Sequence, residues 1–562
     1  MPKVTIDGNL YEVEAGQTIM QAALKQGISI PHFCWHPRLS IAGNCRICLV
    51  EVEKIPKPAI ACQTQIADGM VVRTASDKVK NAREAVMEFL LINHPLDCPI
   101  CDEAGECKLQ DYAYTYSEGA SRFEFEKVRK PKRVELGPNV MLDTERCIMC
   151  SRCVRFCDEI VKEPQLVFTQ RGDHVELTTF PGQQLDNAYS MNTIDLCPVG
   201  ALTSRDFRFR ARVWEMSSTD SICTGCARGC SVKTWVRNNE ILRLTPRLNP
   251  QVNDYWMCDE GRIDSYKHVN DATRLKSPAI RKEGKVIEVG WDEAIAKVAF
   301  ELKSYKKNEI AGLGSAFATN EDNYVFAKFM RHLGVANIDF MRHDDPAFQD
   351  DLLRRADRTP NSLGATETGI HSTDSASSFE SIIRAINEGK IKALYCLEDN
   401  IAKDPLIAEA LNKLEFLVVH ASNENQTTAL ADVIFSASTH AEKHGTFTNF
   451  QGQIQRIRPA VATLDQDRAL DGLAMSRWDK FGAHNDRWMK GTKRDARPSW
   501  RIVTSLAAAM GAKWKYASAE EVFNEIASSV ESFKGLTYIR LGSQGAKLKM
   551  KSKMEQPVTQ KS

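Results

Sequence analysis

The sequence predicts a multidomain protein of mixed α/β and α+β class, cysteine-rich in its first half and layered α/β in its second. Three observations lead there. The chain has 562 residues, which at roughly 150 residues per domain makes three or four domains. Of its 17 cysteines, all but Cys396 fall between Cys34 and Cys258. Beyond residue 271 short apolar runs alternate with helical patterns in a βαβ rhythm, the mark of a parallel sheet under helices.

Composition narrows the function classes. Hydrophobic residues make up 43% and charged residues 26%, an ordinary globular mix that excludes disorder as the main state. Lys+Arg 74 against Asp+Glu 73 leaves no basic surplus of the kind a nucleic-acid binder carries. No run reaches the ~18 apolar residues of a membrane helix. Residues 1–8 lack the charged and apolar regions of a secretory signal. The expectation is a cytosolic protein, or one held at a membrane only through partners. In that reducing setting clustered cysteines read as metal ligands rather than disulfides.

Residues 1–76 begin with two alternating runs, Val4/Ile6 and Leu10/Tyr11/Val13, around an Asp7-Gly8-Asn9 turn, a hairpin signal. Thr18 caps a short helix through Ala22, Ala23 and Leu24 that Gly27 ends. Strand–turn–strand–helix fits a β-grasp domain. Cys34, Cys45, Cys48 and Cys62 follow as C-x10-C-x2-C-x13-C, a loop plus one return strand that suits a [2Fe–2S] cluster. Gly43 and Asn44 fit a tight loop whose N–H groups face sulfur. A four-cysteine zinc site would more usually show two C-x2-C pairs.

Residues 77–139 open with a helix over 77–93. Asp77 is its expected N-cap and Val79, Ala82, Val86, Phe89 and Leu90 its expected buried stripe. The helix delivers His94, then Cys98, Cys101 and Cys107, an H-x3-C-x2-C-x5-C set. A lone histidine at a helix end is ordinarily structural; its place directly before three cysteines makes it a ligand candidate. Three thiolates and one imidazole would hold a [4Fe–4S] cluster with less negative charge and a raised potential.

Residues 140–215 carry Cys147, Cys150, Cys153 and Cys157 as C-x2-C-x2-C-x3-C, then Cys197-Pro198. This is the bacterial ferredoxin run, in which the fourth cysteine serves a second cluster. A remote Cys-Pro completes the first, so Cys147, Cys150, Cys153 and Cys197 are expected to hold one [4Fe–4S] cluster. The second cluster lacks three ligands, and Cys157 is expected to be a buried thiol outside the site. Residues 216–272 carry Cys223, Cys226, Cys230 and Cys258, C-x2-C-x3-C-x27-C, a further [4Fe–4S] set.

From residue 273 to 545 the metal signal stops. Residues 309–316 are an apolar run, Thr319-Asn320-Glu321 starts a helix, and Val325, Phe326, Phe329, Met330 and Leu333 form its apolar face before Gly334. Residues 393–397 read as a strand, 405–414 as a helix and 415–420 as a strand. Cys396 falls in that first strand and reads as core. Gly312 and Gly314 give only G-x-G, with Phe317 where a third glycine belongs, so no NAD site is assigned. No Ser/His/Asp or paired-carboxylate catalytic arrangement is legible. A basic tail over 546–562, with Lys547, Lys549, Lys551 and Lys553, is expected to be disordered or to dock on a partner.

In combination these motifs resemble the NADH:quinone oxidoreductase-G family, the iron–sulfur-rich peripheral-arm component of respiratory complex I, along nearly the whole chain. The resemblance rests on the Cys34 loop, on His94/Cys98/Cys101/Cys107, on Cys147/Cys150/Cys153 with Cys197-Pro198, and on Cys223–Cys258. In the second half Ala431-Asp432-Val433-Ile434 and Glu442-Lys443-His444-Gly445-Thr446-Phe447-Thr448-Asn449 look like a molybdopterin-oxidoreductase-like domain, here without expected molybdenum. The resemblance implies one [2Fe–2S] and three [4Fe–4S] clusters relaying single electrons. These would come from the flavin-bearing, NADH-oxidising subunit and go toward quinone. The chain itself would bind neither NADH nor quinone, and proton translocation would occur in separate membrane subunits. Implied partners are that flavin subunit, a small [2Fe–2S] subunit and the quinone-side iron–sulfur subunits. The implied place is the cytoplasmic side of the bacterial inner membrane, without a span. The Cys223–Cys258 cluster occurs in part of the family and lies off the main path there.

Three alternatives share pieces of the pattern. A NAD-linked formate dehydrogenase large chain has the same N-terminal motifs, but it is longer and needs a later cysteine or selenocysteine metal ligand. An iron-only hydrogenase needs another cysteine set after residue 258. A zinc-stapled scaffold would contain no iron or sulfide.

Overall fold

The computed structural model describes residues 1–117, 119–371, 378–466 and 492–549. The chain divides into two compact units, Met1–Glu215 and Met216–Ser562.

The first unit begins with a five-stranded sheet, β1 (Lys3–Ile6), β2 (Asn9–Glu12), β3 (Leu49–Val52), β4 (Ala59–Ile60) and β5 (Met70–Arg73), in the order β2-β1-β5-β3-β4. β1 and β5 run parallel; the other pairs are antiparallel. Asp7 and Gly8 both take positive φ, the two-residue turn that matches strand twist. Thr18 closes a capping box with Gln21 on the helix Ile19–Lys25, and that helix buries Ile19, Met20, Ala22 and Ala23 against Val4, Ile6, Val50 and Val72. The β-grasp expectation is met.

The next helix runs Asp77–Ile92, with Ser76 rather than Asp77 as its cap: the Ser76 hydroxyl accepts from the Val79 N–H. Its buried line is Val79, Arg83 and Met87, and Phe89 is 77% exposed. Arg83 displaces the expected register because its guanidinium donates to the Leu49 carbonyl at 3.0 Å and lies over the Tyr116 ring. The helix Lys108–Tyr116 follows. Then come β6 (Val134–Glu135), β7 (Val140–Leu142), a hairpin of β8 (Leu166–Thr169) and β9 (Glu176–Thr179), and β10 (Leu202–Ser204), which joins β7 and β6 in a second sheet.

The second unit starts with a three-stranded meander, β11 (Ser217–Ile222), β12 (Ser231–Arg237) and β13 (Glu240–Pro246). Seven strands form its main sheet: β14 (Ala279–Lys282), β15 (Lys285–Glu288), β16 (Ile310–Leu313), β17 (Ile338–Asp339), β18 (Ala393–Cys396), β19 (Phe416–Ala421) and β20 (Val433–Ser436). The order is β15-β14-β20-β19-β18-β16-β17, parallel from β20 to β17. Alternation along β18 sends Ala393 and Tyr395 into a core with Phe326, Phe329, Phe435 and Trp500 on one face. Leu394 and Cys396 go to a core with Ile382, Ile386 and Leu411 on the other. Helices therefore cover both faces, as a parallel sheet demands. Gly312 and Gly314 serve packing: an added Cβ would press on Met330 and on Ile370 respectively. A third sheet joins β21 (Gly445–Thr448), β22 (Gln453–Ile457) and β23 (Ala546–Lys547). The expected free tail thus begins with a paired strand, and Leu548 is 5% exposed. Lys551 and Lys553 lie outside the described residues.

Candidate metal centres

All seventeen cysteines are without disulfides, and all but Cys157 and Cys396 belong to the four sets that their spacing suggests. In the first, Cys34, Cys48 and Cys62 are buried and Cys45 partly so. The loop turns through positive φ at Gly43 and Arg46. The Cys34 N–H donates to Cys45 Sγ at 3.4 Å, while the N–H groups of Cys45 and Asn44 face the Cys34 sulfur, as expected of that loop. The four thiols interact in pairs, Cys34 with Cys45 and Cys48 with Cys62. In each pair hydrogen bonding to the partner favours ionisation of the first sulfur and pushes the second up.

In the second set Cys98 is exposed in a turn at Cys98–Ile100, while Cys101 and Cys107 are buried. Cys107 stands at the N-cap position of the helix Lys108–Tyr116. Cys101 falls within electrostatic reach of both Cys98 and Cys107. A Cβ at Gly200 would collide with Cys101 Sγ, so the sulfur has room only because that residue is glycine. His94, just past the end of the helix Asp77–Ile92, is half-buried. Burial, then the charges of Arg146 and Lys127, push its pKa down to about 4, which leaves the imidazole neutral with a free lone pair, the form that ligates.

In the third set Cys150 and Cys153 are buried and Cys147 and Cys197 partly so. Cys147, Cys150, Cys153 and Cys197 line one small cavity with Phe168, Leu177, Val199 and Leu202. Met149 and Ser151 take positive φ, which coils the C-x2-C-x2-C run so that its sulfurs converge. Burial followed by mutual repulsion drives Cys153 and Cys197 well above the ordinary thiol range. Cys157 is fully buried in a π-turn beside Cys153, outside that cavity lining.

In the fourth set the Cys223 N–H donates to the Cys230 carbonyl at 2.8 Å and closes the loop. The Gly225 N–H donates to Cys223 Sγ at 3.4 Å and the Gly261 N–H to Cys258 Sγ at 3.3 Å. A Cβ at Gly261 would come within 2.9 Å of Cys223 Sγ. The four cysteines line a cavity of about 950 Å³ with His343, Glu398, Asp399 and His440. Burial, then Cys226, pushes Cys223 up to about 11.

In the third and fourth sets the crowded thiols resist ionisation as they stand, and in the first Cys45 and Cys62 do so while Cys34 and Cys48 are favoured to ionise. A cationic core that binds thiolate reverses this preference, and N–H groups aimed at sulfur then carry part of the charge. These residues fit such a group. Among the described residues no three His, Cys, Asp or Glu side chains converge tightly enough for one metal ion.

Two features escaped the sequence reading. Lys443 is 1% exposed and bridges Asp322 at 2.7 Å and Glu398 at 2.8 Å; Glu398 sits at φ +37. The segment 442–449 was legible, but nothing local marks its ion partners 45 and 121 positions away. The second feature is a pair of arginines between the first and third sets. Arg155 donates to the carbonyls of Cys34 (2.6 Å), Cys150 (3.3 Å) and Ser40. Arg152 donates to those of Leu196 (3.2 Å) and Trp35. The signal was available: both lie inside the cysteine motif, three apart on the turn carrying Cys153.

Comparison with known proteins agrees with this division. Family models match residues 2–77 (2Fe-2S iron-sulfur cluster binding domain), 83–122 (NADH-ubiquinone oxidoreductase-G iron-sulfur binding region), 137–203 (NADH-quinone oxidoreductase subunit 3, ferredoxin-like domain), 216–271 (Molybdopterin oxidoreductase Fe4S4 domain) and 274–351 with 357–469 (Molybdopterin oxidoreductase). The chain is 44% identical over 346 residues to the NADH-quinone oxidoreductase-G protein of Rickettsia bellii, covering 61% of this chain and 50% of that one. It is 40% identical over 380 residues to the mitochondrial "NADH-ubiquinone oxidoreductase 78 kDa subunit" of Neurospora crassa, covering 66% and 50%. The chain spans about half the length of these curated relatives. A solved NAD+-reducing [NiFe]-hydrogenase chain aligns at 30% identity over 38% of this chain and 91% of that one, with a TM-score of 0.34.

Proposed function

From a chain that belongs to the NADH-quinone oxidoreductase-G family, we infer an electron relay inside an NADH:quinone oxidoreductase. The observation that carries this is the row of four separate donor sets, three of them wholly thiol, in a chain whose first 271 residues are matched by iron–sulfur domains over most of their length. In this reading Cys34, Cys45, Cys48 and Cys62 hold a [2Fe–2S] cluster. His94 with Cys98, Cys101 and Cys107, then Cys147, Cys150, Cys153 and Cys197, then Cys223, Cys226, Cys230 and Cys258, hold three [4Fe–4S] clusters. Bound there, such clusters take up and release single electrons.

The protein's own contribution is burial, hydrogen bonding and charge. Backbone N–H groups at Asn44, Gly225 and Gly261 point at ligand sulfurs and ease the addition of negative charge. Phe168, Leu177 and Leu202 give the third set an apolar wall. His94 contributes a neutral donor where the other sets use thiolate. The partners in this reading are a flavin-bearing NADH-oxidising subunit, a small [2Fe–2S] subunit and the quinone-side iron–sulfur subunits. The working place is the cytoplasmic side of a bacterial inner membrane. No helix among the described residues is long and apolar enough to cross a membrane.

Metal and sulfide analysis with low-temperature EPR of the reduced protein tests this. One [2Fe–2S] and three [4Fe–4S] clusters sum to about fourteen iron per chain. That content, without molybdenum, supports the relay. Stoichiometric molybdenum would make the second unit catalytic, and zinc in place of iron would end the electron-transfer reading.

A further inference from the structure

Arg152 is 5% exposed, and among the described residues no carboxylate pairs with it. A guanidinium keeps its charge under all ordinary conditions, and a buried charge with no opposite charge beside it is unfavourable. Arg146 is equally buried, at 3% exposure, but pairs with Asp97 at 2.9 Å and Asp143 at 3.2 Å. Among the described residues Arg152 donates only to carbonyl oxygens, of Trp35 beside Cys34 and of Leu196 beside Cys197. Its Nε has no partner. The acidic groups its charge acts on most are the sulfurs of Cys150, Cys197, Cys34 and Cys45, two from each of two metal centres.

Arg155 repeats the pattern one turn on. Its guanidinium joins the Cys34 and Cys150 carbonyls directly, and its Nε donates to Ser151 Oγ at 3.1 Å. It too has no carboxylate in ion-pair contact among the described residues. Two further ties complete the seam: Asn44 Nδ2 donates to the Met149 carbonyl at 3.0 Å, and the Ser40 N–H donates to the Glu159 carboxylate at 2.8 Å. Each arginine therefore touches the backbone at or next to a cysteine of both sets, Trp35 and Leu196 for Arg152 and Cys34 and Cys150 for Arg155.

We propose that Arg152 and Arg155 are positioning residues shared by two metal centres: they fix the approach of the Cys34 loop to the Cys150 loop, and their charges raise the reduction potential of both. The inference rests on the electron-relay reading. An added electron is a unit of negative charge, and a nearby cation stabilises the reduced form of whichever centre holds it. One cation between two centres favours the reduced state of each.

Potentiometric EPR of the loaded protein carrying Arg152→Gln, Arg152→Lys or Arg155→Gln tests it. In Arg152→Gln both the [2Fe–2S] signal and the signal of the Cys147–Cys197 centre persist. The reduced-to-oxidised ratio at fixed potential falls at least tenfold for each, which is about 59 mV for one electron. Arg152→Lys restores most of both shifts. Arg155→Gln lowers both as well and carries the test if Arg152→Gln does not assemble. Unmoved potentials, a shift in one centre only, or equal shifts in Arg152→Lys and Arg152→Gln would overturn the proposal. Absence of either signal from the unaltered protein would instead overturn the relay reading.

Discussion

His343 Nε2 lies 2.9 Å from Asp399 Oδ2 on the wall of the cavity above Cys223–Cys258. Burial alone would push the His343 pKa down, but the Asp399 carboxylate reverses this and leaves it raised. A histidine raised on folding adds stability that is complete below its unfolded pKa, about 6.5, and is lost as pH rises through the higher folded value. Melting of the unaltered protein and of His343→Gln should therefore differ most near pH 6, by ~1–2 kcal/mol, and least near pH 9. A difference independent of pH would show that the pair acts only as a neutral hydrogen bond.

Lys443 holds two buried carboxylates, so its loss leaves like charges facing each other without a cation. Lys443→Met should cost at least ~3 kcal/mol in urea unfolding of the full chain. Adding Asp322→Asn and Glu398→Gln should recover part of that loss. No recovery would mean that packing, not charge, sets the penalty.

Gly200 makes room for Cys101 Sγ, whereas an added Cβ at Gly225 meets its nearest atom, Cys223 Sγ, at an ordinary 3.5 Å. Gly200→Ala should remove or distort the centre at His94, Cys98, Cys101 and Cys107 and leave the other EPR signals in place. Gly225→Ala should leave all signals unchanged. Equal loss in both variants would show that crowding at sulfur is not the cause.

Because each ligand set is local in sequence, Cys98→Ser and Cys258→Ser should each perturb one centre. Iron should fall by at most about four per chain in either variant. Loss of all signals from one change would show that the centres do not form independently.

Much of this was legible in the sequence. Thiol spacing reports which sulfurs can lie together, because a short loop cannot carry its cysteines far apart; Cys223, Cys226 and Cys230 line one cavity, as their spacing suggests. Strand alternation placed Cys396 in the core, and the Thr319 capping box marked its helix start. Register was harder. Periodicity at 79–90 gave a helix but the wrong stripe, since Arg83 reaches a carbonyl on β3 that the local pattern does not contain. Asp77 and Ser76 are both good caps, and only the hydroxyl's contact with Val79 decides between them. The long-range partners of Lys443 and Arg152 were invisible for the same reason: ion pairs and carbonyl contacts across a fold leave no period in the chain.

The pairing of β23 with β22 ties events at opposite ends of the second unit. β22 carries Gln455, whose amide accepts from Ser231 Oγ at 2.6 Å and donates to the Gly229 carbonyl at 2.7 Å, on either side of Cys230. The strand turn before β23 supplies the Gln544 carbonyl to Asn249 and Gln453. On the ribosome, residues 229–231 are thus exposed more than two hundred residues before Gln455 and three hundred before β23. The fourth thiol set is the last to be braced, although it lies in the first half of the chain. The braces described above for the sets in Met1–Glu215 come from within that unit. A nascent chain that ends before residue 455 lacks the side chain that joins Gly229 to Ser231 across Cys230.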